Sequence, residues 1–377
     1  MALPTERRYD IDYIRVLAFA LLILYHVGMF FTPWEWHIKN DILYPELRYP
    51  MIFVNQWRLP LLFLVSGMGT YYALRKKSGK EYLGERTKRL LLPLIFGILF
   101  IVPPQIYIER ISQGVDYGGY FGFWPSQIFN GIYPEGNFSW HHLWFILYLF
   151  FFSIVLLPLL LYIKRTSKNL LSRSVSRAVS SVGGLLLMAV PLLLCRMLLS
   201  GNFPATNGFW GDWFNLTNSA LFFLSGFLLI DAGEKFWKSV EKRKYIFLII
   251  GICAFSLLMF FWSGRFAKSP VFDLINDITV TVNAWSWILA VTGFCSSFLN
   301  KPSKALKYAN EAVYPFYILH QTVIVVLGYF IRGWDIGFWV KFPVMVLLTF
   351  LITWFIYEFG IRRYKIVRPL FGMKPKA

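Results

Sequence analysis

Charged residues are scarce in this chain. Only 15% of its 377 residues are Asp, Glu, Lys or Arg, and 57% are hydrophobic, where a soluble domain carries about 25% charged residues. Apolar stretches of roughly 16 to 24 residues recur along the whole length, so the lipid bilayer rather than water is the solvent for most side chains. Cysteine is also sparse. Cys195, Cys253 and Cys295 all fall within apolar runs, which excludes a disulfide framework and thiolate metal-ligand spacing; no metal site is expected. Long polar stretches are missing too, so one membrane-embedded domain over residues 1–377 is the economical organisation. A small-residue cleavage signal is lacking after the first apolar run, which passes from Arg7 and Arg8 into Pro33 and Trp34. That run is expected to be retained as a span.

What is present is a series of spans near 12–32, 50–74, 89–108, 142–163, 182–199, 215–231, 245–262, 278–298, 311–330 and 338–361. The fold class is therefore all-α, a polytopic transmembrane helix bundle of about ten spans. The net charge of +18 raises the question of a nucleic-acid partner. The basic residues answer it by where they fall. With alternate connections assigned to two sides, Arg7, Arg8 and Arg15, seven from Arg75 to Arg89, five from Lys164 to Arg177, five from Lys235 to Lys244, Lys301, Lys304 and Lys307, and six from Arg362 to Lys376 share one side, making 29 of the 38. Positive charge collects in cytoplasmic loops, so both termini are expected in the cytoplasm and no nucleic acid is needed as partner.

The largest segment outside the spans, from about Ile111 to Trp140, is aromatic and glycine-rich. It is expected either to cap a cavity or to act as an ordinary belt loop at the interface. A faint internal echo, LPLLFLVSGMG at 59–69 and SALFFLSGFLL at 219–229, marks sites where helices approach closely over small residues.

Polar side chains inside a bilayer are costly, so each is a functional candidate by default. His37, in the first outer loop, reads as a solvated surface residue. His26 lies deep in the first span, YDIDYIRVLAFALLILYHVGMFF, eleven positions after Arg15. Eleven residues are three turns plus about 20°, which puts both side chains on one face and about 16 Å apart along the axis. Arg15 alone reads as a positive-inside anchor; the shared face makes the pair worth pursuing. In GERTKRLLLPLIFG, Arg86 and Arg89 stand three apart at the cytoplasmic mouth of the third span. They form either a juxtamembrane basic cluster or a phosphate-binding pair. WHHLWF puts His141, His142 and Trp144 where the fourth span begins, as belt residues or a sugar platform. YPFYILHQ puts His320 near the middle of the ninth span, one turn from Tyr317, as a satisfied core histidine or a functional one.

DYIR at 12–15 with His26, LPLLFLVSG at 59–67, RTKR at 86–89, HLWF at 142–145 and YPFYILHQ at 314–321 together resemble the type-3 membrane acyltransferases. The resemblance spans nearly the whole chain, and the closing YEFGIRRYKIVRPLFGMK at 357–374 is similar to a subgroup acting in periplasmic glucan biosynthesis. The resemblance implies acyl transfer from cytosolic acyl-coenzyme A to an extracytoplasmic carbohydrate, in the cytoplasmic (inner) membrane, without a permanently bound cofactor. It implies His26 as the catalytic histidine, Arg15 as its paired basic residue, and Arg86 with Arg89 as the donor-binding arginines. His142, Trp144, His320 and Tyr317 are expected on the substrate side. The appended esterase-like domain of some relatives is not expected here.

The expected mechanism has His26, as a neutral imidazole, act as general base on an acceptor hydroxyl; an acyl-histidine intermediate is left open. A secondary transporter with a path through His26, His320 and Arg15 is the alternative, and inverted repeats would favour it. A purely structural scaffold would explain the topology and leave His26 and Arg15 unexplained. The acceptor sugar, acetyl against succinyl, and the oligomeric state are not legible.

Overall fold

The computed structural model describes residues 7–166, 169–267 and 269–375; Lys168 and Lys376 of the basic tally lie outside them. Nine helices among the described residues are long and apolar enough to cross a membrane: α1 (Tyr9–Phe31), α2 (Pro45–Lys76), α3 (Gly79–Ser112), α5 (Val182–Leu199), α6 (Trp213–Asp231), α7 (Glu234–Phe261), α8 (Pro270–Phe298), α9 (Lys304–Ile331) and α10 (Phe338–Ile361). A tenth, α4, is formed by His141–Val155 and Leu157–Arg165, bent by 54°, with Pro158 near the start of the second piece. Each apolar run found in the sequence is one of these helices, and the fold is an all-α polytopic bundle. Boundaries differ where helices continue past the apolar zone. The polar start of α7, EKFWKSVEKRK, is helical because Glu, Lys and Arg are good helix formers, and Glu234 pairs with Lys238 one turn on at 2.8 Å.

The chain folds as two compact units: Met1–Ala18, Phe53–Leu83 and Phe151–Asn310 form the first, and Phe19–Ile52, Gly84–Phe150 and Glu311–Ala377 the second. In the first unit the two echoing segments meet each other. A Cβ added at Gly67 of α2 would lie 1.8 Å from the Phe223 carbonyl oxygen of α6, and one at Gly226 of α6 would lie 1.9 Å from that of Leu64. Only glycine allows two backbones this close, and dispersion between them replaces a hydrophobic drive that lipid cannot supply. The α7–α8 hairpin uses the same device at Gly293, whose added Cβ would stand 2.5 Å from the Val240 oxygen.

The second unit packs an apolar core of Ile23, Val27, Phe30, Phe31, Ile324, Val325 and Met345. Three stretches of its helices are π-helical, Thr87–Leu91 and Gly97–Ile101 in α3 and Ile356–Ile361 in α10. Each inserts a residue into the helical register, a feature frequent at functional sites. Part of the segment after α3 folds back onto it, while Phe121, Phe129 and Ile132 stay exposed. A short helix, Tyr120–Ser126, buries Phe123 among Tyr107, Tyr117 and Tyr120, and Trp124 Nε1 donates to the Leu99 oxygen at 2.8 Å.

Candidate active site

All five histidines lie in the second unit. His26 projects from α1 and His320 from α9, and His26 Nδ1 is 2.7 Å from His320 Nε2. The rings lie nearly parallel, 14° apart, with centroids 5.0 Å apart. The other nitrogen of His320, Nδ1, is 2.6 Å from the Tyr317 carbonyl oxygen. A carbonyl only accepts, so His320 carries its proton on Nδ1 and, as a neutral ring, offers Nε2 as acceptor. His26 must then donate from Nδ1, which assigns its lone pair to Nε2. Backbone carbonyl, His320 and His26 thus form an ordered chain of hydrogen bonds that sets the tautomers of both rings.

The relay is seated by neighbours. His320 is fully buried and His26 half-buried. Trp36 stacks against His26 at 6.4 Å. His142 sets its ring edge-on to His320 at 5.3 Å and donates from Nε2 to the Ile318 oxygen at 3.0 Å. Tyr317 donates its hydroxyl to the His142 carbonyl oxygen. Two substrate-side candidates, His142 and Tyr317, therefore meet around a third, His320, which touches His26. Trp144 packs edge-on against Tyr148 and Phe145, and Phe145 in turn against Tyr317.

His37 is not a solvated surface residue: only 12% of its side chain is exposed. The loop after α1 carries it inward. That loop is tied to the helix end by Lys39, whose ammonium donates to the Met29 oxygen and to the Trp34 oxygen at 2.9 Å, meeting a C-terminal carbonyl that the helix leaves unbonded. Loss of water around Lys39 lowers its pKa to about 8. His37 Nδ1 then lies 2.5 Å from Glu109 Oε2, and Gln321 Nε2 donates to His37 Nε2 at 3.0 Å and to Gln105 Oε1 at 3.1 Å. Tyr133 donates to the other Glu109 oxygen at 3.0 Å; burial, then the adjacent carboxylate, hold its phenol above the usual range.

Tyr314 of α9 stands near both arginines expected to bind the donor. Arg86 and Arg89 both act electrostatically on Tyr314, and Arg89 Nε donates to the Gly372 oxygen at 3.2 Å. Gly372 (φ +68°) is in the left-handed region, and a Cβ there would stand 2.4 Å from the Tyr314 ring. Tyr314, Tyr317 and His320 succeed one another along α9, a rise of about 9 Å from the arginines' neighbour to the histidine relay. Arg15 stands on the same unbroken helix as His26, with Nη1 donating to Asp12 Oδ1 and Asn310 Oδ1, both at 3.0 Å.

Sequence reading passed over Trp36, Gln105, Glu109, Tyr314 and Gln321. Gln105 and Glu109 carried a usable signal, being polar residues in the apolar run PPQIYIER. Buried Arg58 of α2 and Asn283 of α8, 2% and 0% exposed, carried the same signal in the first unit.

A bundle of some ten apolar helices with two hydrogen-bonded histidines inside it defines a multi-pass integral membrane protein. A sequence model of the family described as "Acyltransferase domain", type 3, matches residues 8–358, and the chain belongs to this family; it is a membrane acyltransferase. It is similar to the Glucans biosynthesis protein C of Escherichia coli (strain SMS-3-5 / SECEC), 23% identical over 99% of this chain and 96% of the relative. The protein of that name from Escherichia coli O81 (strain ED1a) and that from Shigella dysenteriae serotype 1 (strain Sd197) are each 22% identical over the same shares. No solved structure matches the chain.

Proposed function

We propose that this protein transfers an acetyl or succinyl group from cytosolic acyl-coenzyme A to a hydroxyl of an extracytoplasmic, glucan-like glycan at the inner membrane, with His26 as general base. The observation that carries the reading is the relay from the Tyr317 carbonyl through His320 to His26, which supports a lone pair on His26 Nε2 inside the bundle. The relatives' name, Glucans biosynthesis protein C, supports a glycan acceptor.

Arg86 and Arg89 bind the donor phosphates as guanidinium forks, and the acyl arm runs past Tyr314 and Tyr317 towards His26. His26 Nε2 takes the proton of the acceptor hydroxyl as its oxygen attacks the thioester carbonyl. The tetrahedral intermediate collapses, the C–S bond breaks, and the coenzyme A thiolate leaves with the proton from the His26 imidazolium. His320 accepts a hydrogen bond from His26 Nδ1 throughout, steadying the ring and the positive charge it gains, as the third member of a nucleophile–base–orienter set does. The role of Arg15 rests on its place in α1 eleven residues before His26.

The test is consumption of isotope-labelled acyl-coenzyme A by purified protein with a periplasmic glucan as acceptor. Labelled glucan is expected from the wild type and not from His26→Ala; absence of acyl-coenzyme A turnover by folded wild type overturns the reading and favours a transporter. Reporter fusions at the C-terminus and in the 111–140 segment are expected in the cytoplasm and outside, respectively.

A further inference from the structure

The acyl-transfer relay leaves two histidines unused, and they sit together with a carboxylate. His37, Glu109 and His141 each offer a ligand atom, and those atoms lie within 4.8 Å of one another. The rings of His37 and His141 are 4.4 Å apart. His141 Nε2 is sealed from solvent and has no hydrogen-bond partner, while its Nδ1 is 2.9 Å from Ser139 Oγ. A buried ring nitrogen without a partner is uncommon in a settled fold and calls for an explanation. The backbone of His141 is held at φ +40°, left-handed for a residue with a Cβ, so the ring is kept in this place against a local preference.

We propose that His37, Glu109 and His141 form a binding site for a zinc-class divalent cation beside the His26–His320 pair. Two imidazoles and one carboxylate are the ligand set of three-ligand zinc sites, which keep a fourth position for water or substrate. Imidazole selects zinc, copper, nickel or iron over magnesium and calcium. At zinc–ligand bonds near 2.0–2.1 Å, tetrahedral ligands stand about 3.4 Å apart, so modest side-chain rotations close the site. Supporting groups are present: Tyr133 donates to the second Glu109 oxygen, and Ser139 contacts the far nitrogen of His141. Such partners orient ligands and set their tautomers. Arg110, the adjacent cation, makes hydrogen bonds to the carbonyl oxygens of Pro134 and Gly136 and makes no ion pair with Glu109 among the described residues. The cation joins the loop after α1, the end of α3 and the start of α4. Trp36 links this cluster to the relay, its ring contacting both His37 and His26.

The experiment uses full-length protein without a polyhistidine tag, stripped with chelator, reloaded with zinc, dialysed, and measured for metal by mass spectrometry. About one zinc per chain is expected for the wild type and for His26→Ala, and under about a tenth for His141→Ala and Glu109→Gln. Cobalt loading of the wild type keeps the test decisive if a variant misfolds: visible absorption bands of four- or five-coordinate cobalt are expected. A wild type that retains no zinc, a folded His141→Ala protein that retains as much as wild type, or only the faint spectrum of six-coordinate cobalt overturns the proposal. None of these readouts depends on acyl transfer, so this site and the proposed activity stand or fall separately.

Discussion

The two units differ in where their helices come closest, although both carry hydrogen bonds between helices, such as Trp285 Nε1 to the Leu185 oxygen in the first. In the first, helices α2 and α6 touch backbone to backbone over Gly67 and Gly226, and α7 and α8 over Gly293. In the second, α1, α3, α4 and α9 are joined through His26, Gln105, His142, His320 and Gln321, and the three π-helical stretches among the described residues are found there. A membrane protein lacks the hydrophobic drive between helices that water supplies, so either close packing or buried hydrogen bonds must take its place. The polar groups that join helices in the second unit are already buried and oriented, which is what the proposed chemistry requires.

Perturbing each unit should therefore produce opposite results. His26→Ala in the second unit is expected to lower acyl transfer by about 10²- to 10⁴-fold, the usual contribution of a general base, while the thermal midpoint in detergent stays within a few degrees of wild type. Gly226→Ala in the first unit should do the reverse. Its methyl group meets backbone that cannot step aside, an overpacking cost of about 1–3 kcal/mol, so the midpoint falls while turnover per folded molecule holds. Gly84→Ala, with nothing within 4 Å of the added carbon, is the neutral control.

Smaller effects sharpen the picture within the second unit. His320→Ala removes the acceptor for His26 Nδ1 but leaves the base in place, and a loss of about 10- to 100-fold in kcat is expected, comparable to other supporting-partner deletions. His320→Gln, whose side-chain oxygen accepts a hydrogen bond, should recover part of it. Arg86→Ala and Arg89→Ala should act mainly on donor KM, because phosphate contacts remote from the thioester serve ground and transition states alike. Unchanged KM in both folded variants would return the arginines to a role in topology alone.

The helices were legible in the sequence because apolar length is nearly a direct readout of a bilayer span. Gly67 and Gly226 were legible as close-contact sites through the echo they sit in, although not as partners of each other, since pairing is a property of the packed helices. His26 and His320 were found singly, by the cost of a polar group at membrane depth. Their meeting was not legible: 294 positions separate them, and nothing local sets which face of α9 turns to α1. His37 was misread because loop position suggests solvent, whereas Lys39 fastens that loop to the end of α1 and turns the ring towards Glu109 and Gln321.

The central claim is that His26 and His320 act as one proton-transfer unit, and a double-mutant cycle tests it most directly. Single-turnover acyl transfer is measured for wild type, His26→Ala, His320→Ala and the double variant, each verified as folded. Residues that work through one another are strongly non-additive, so the double variant is predicted to be no slower than His26→Ala alone. Losses that multiply, with the double variant slower than His26→Ala by the full factor seen for His320→Ala, would contradict the relay.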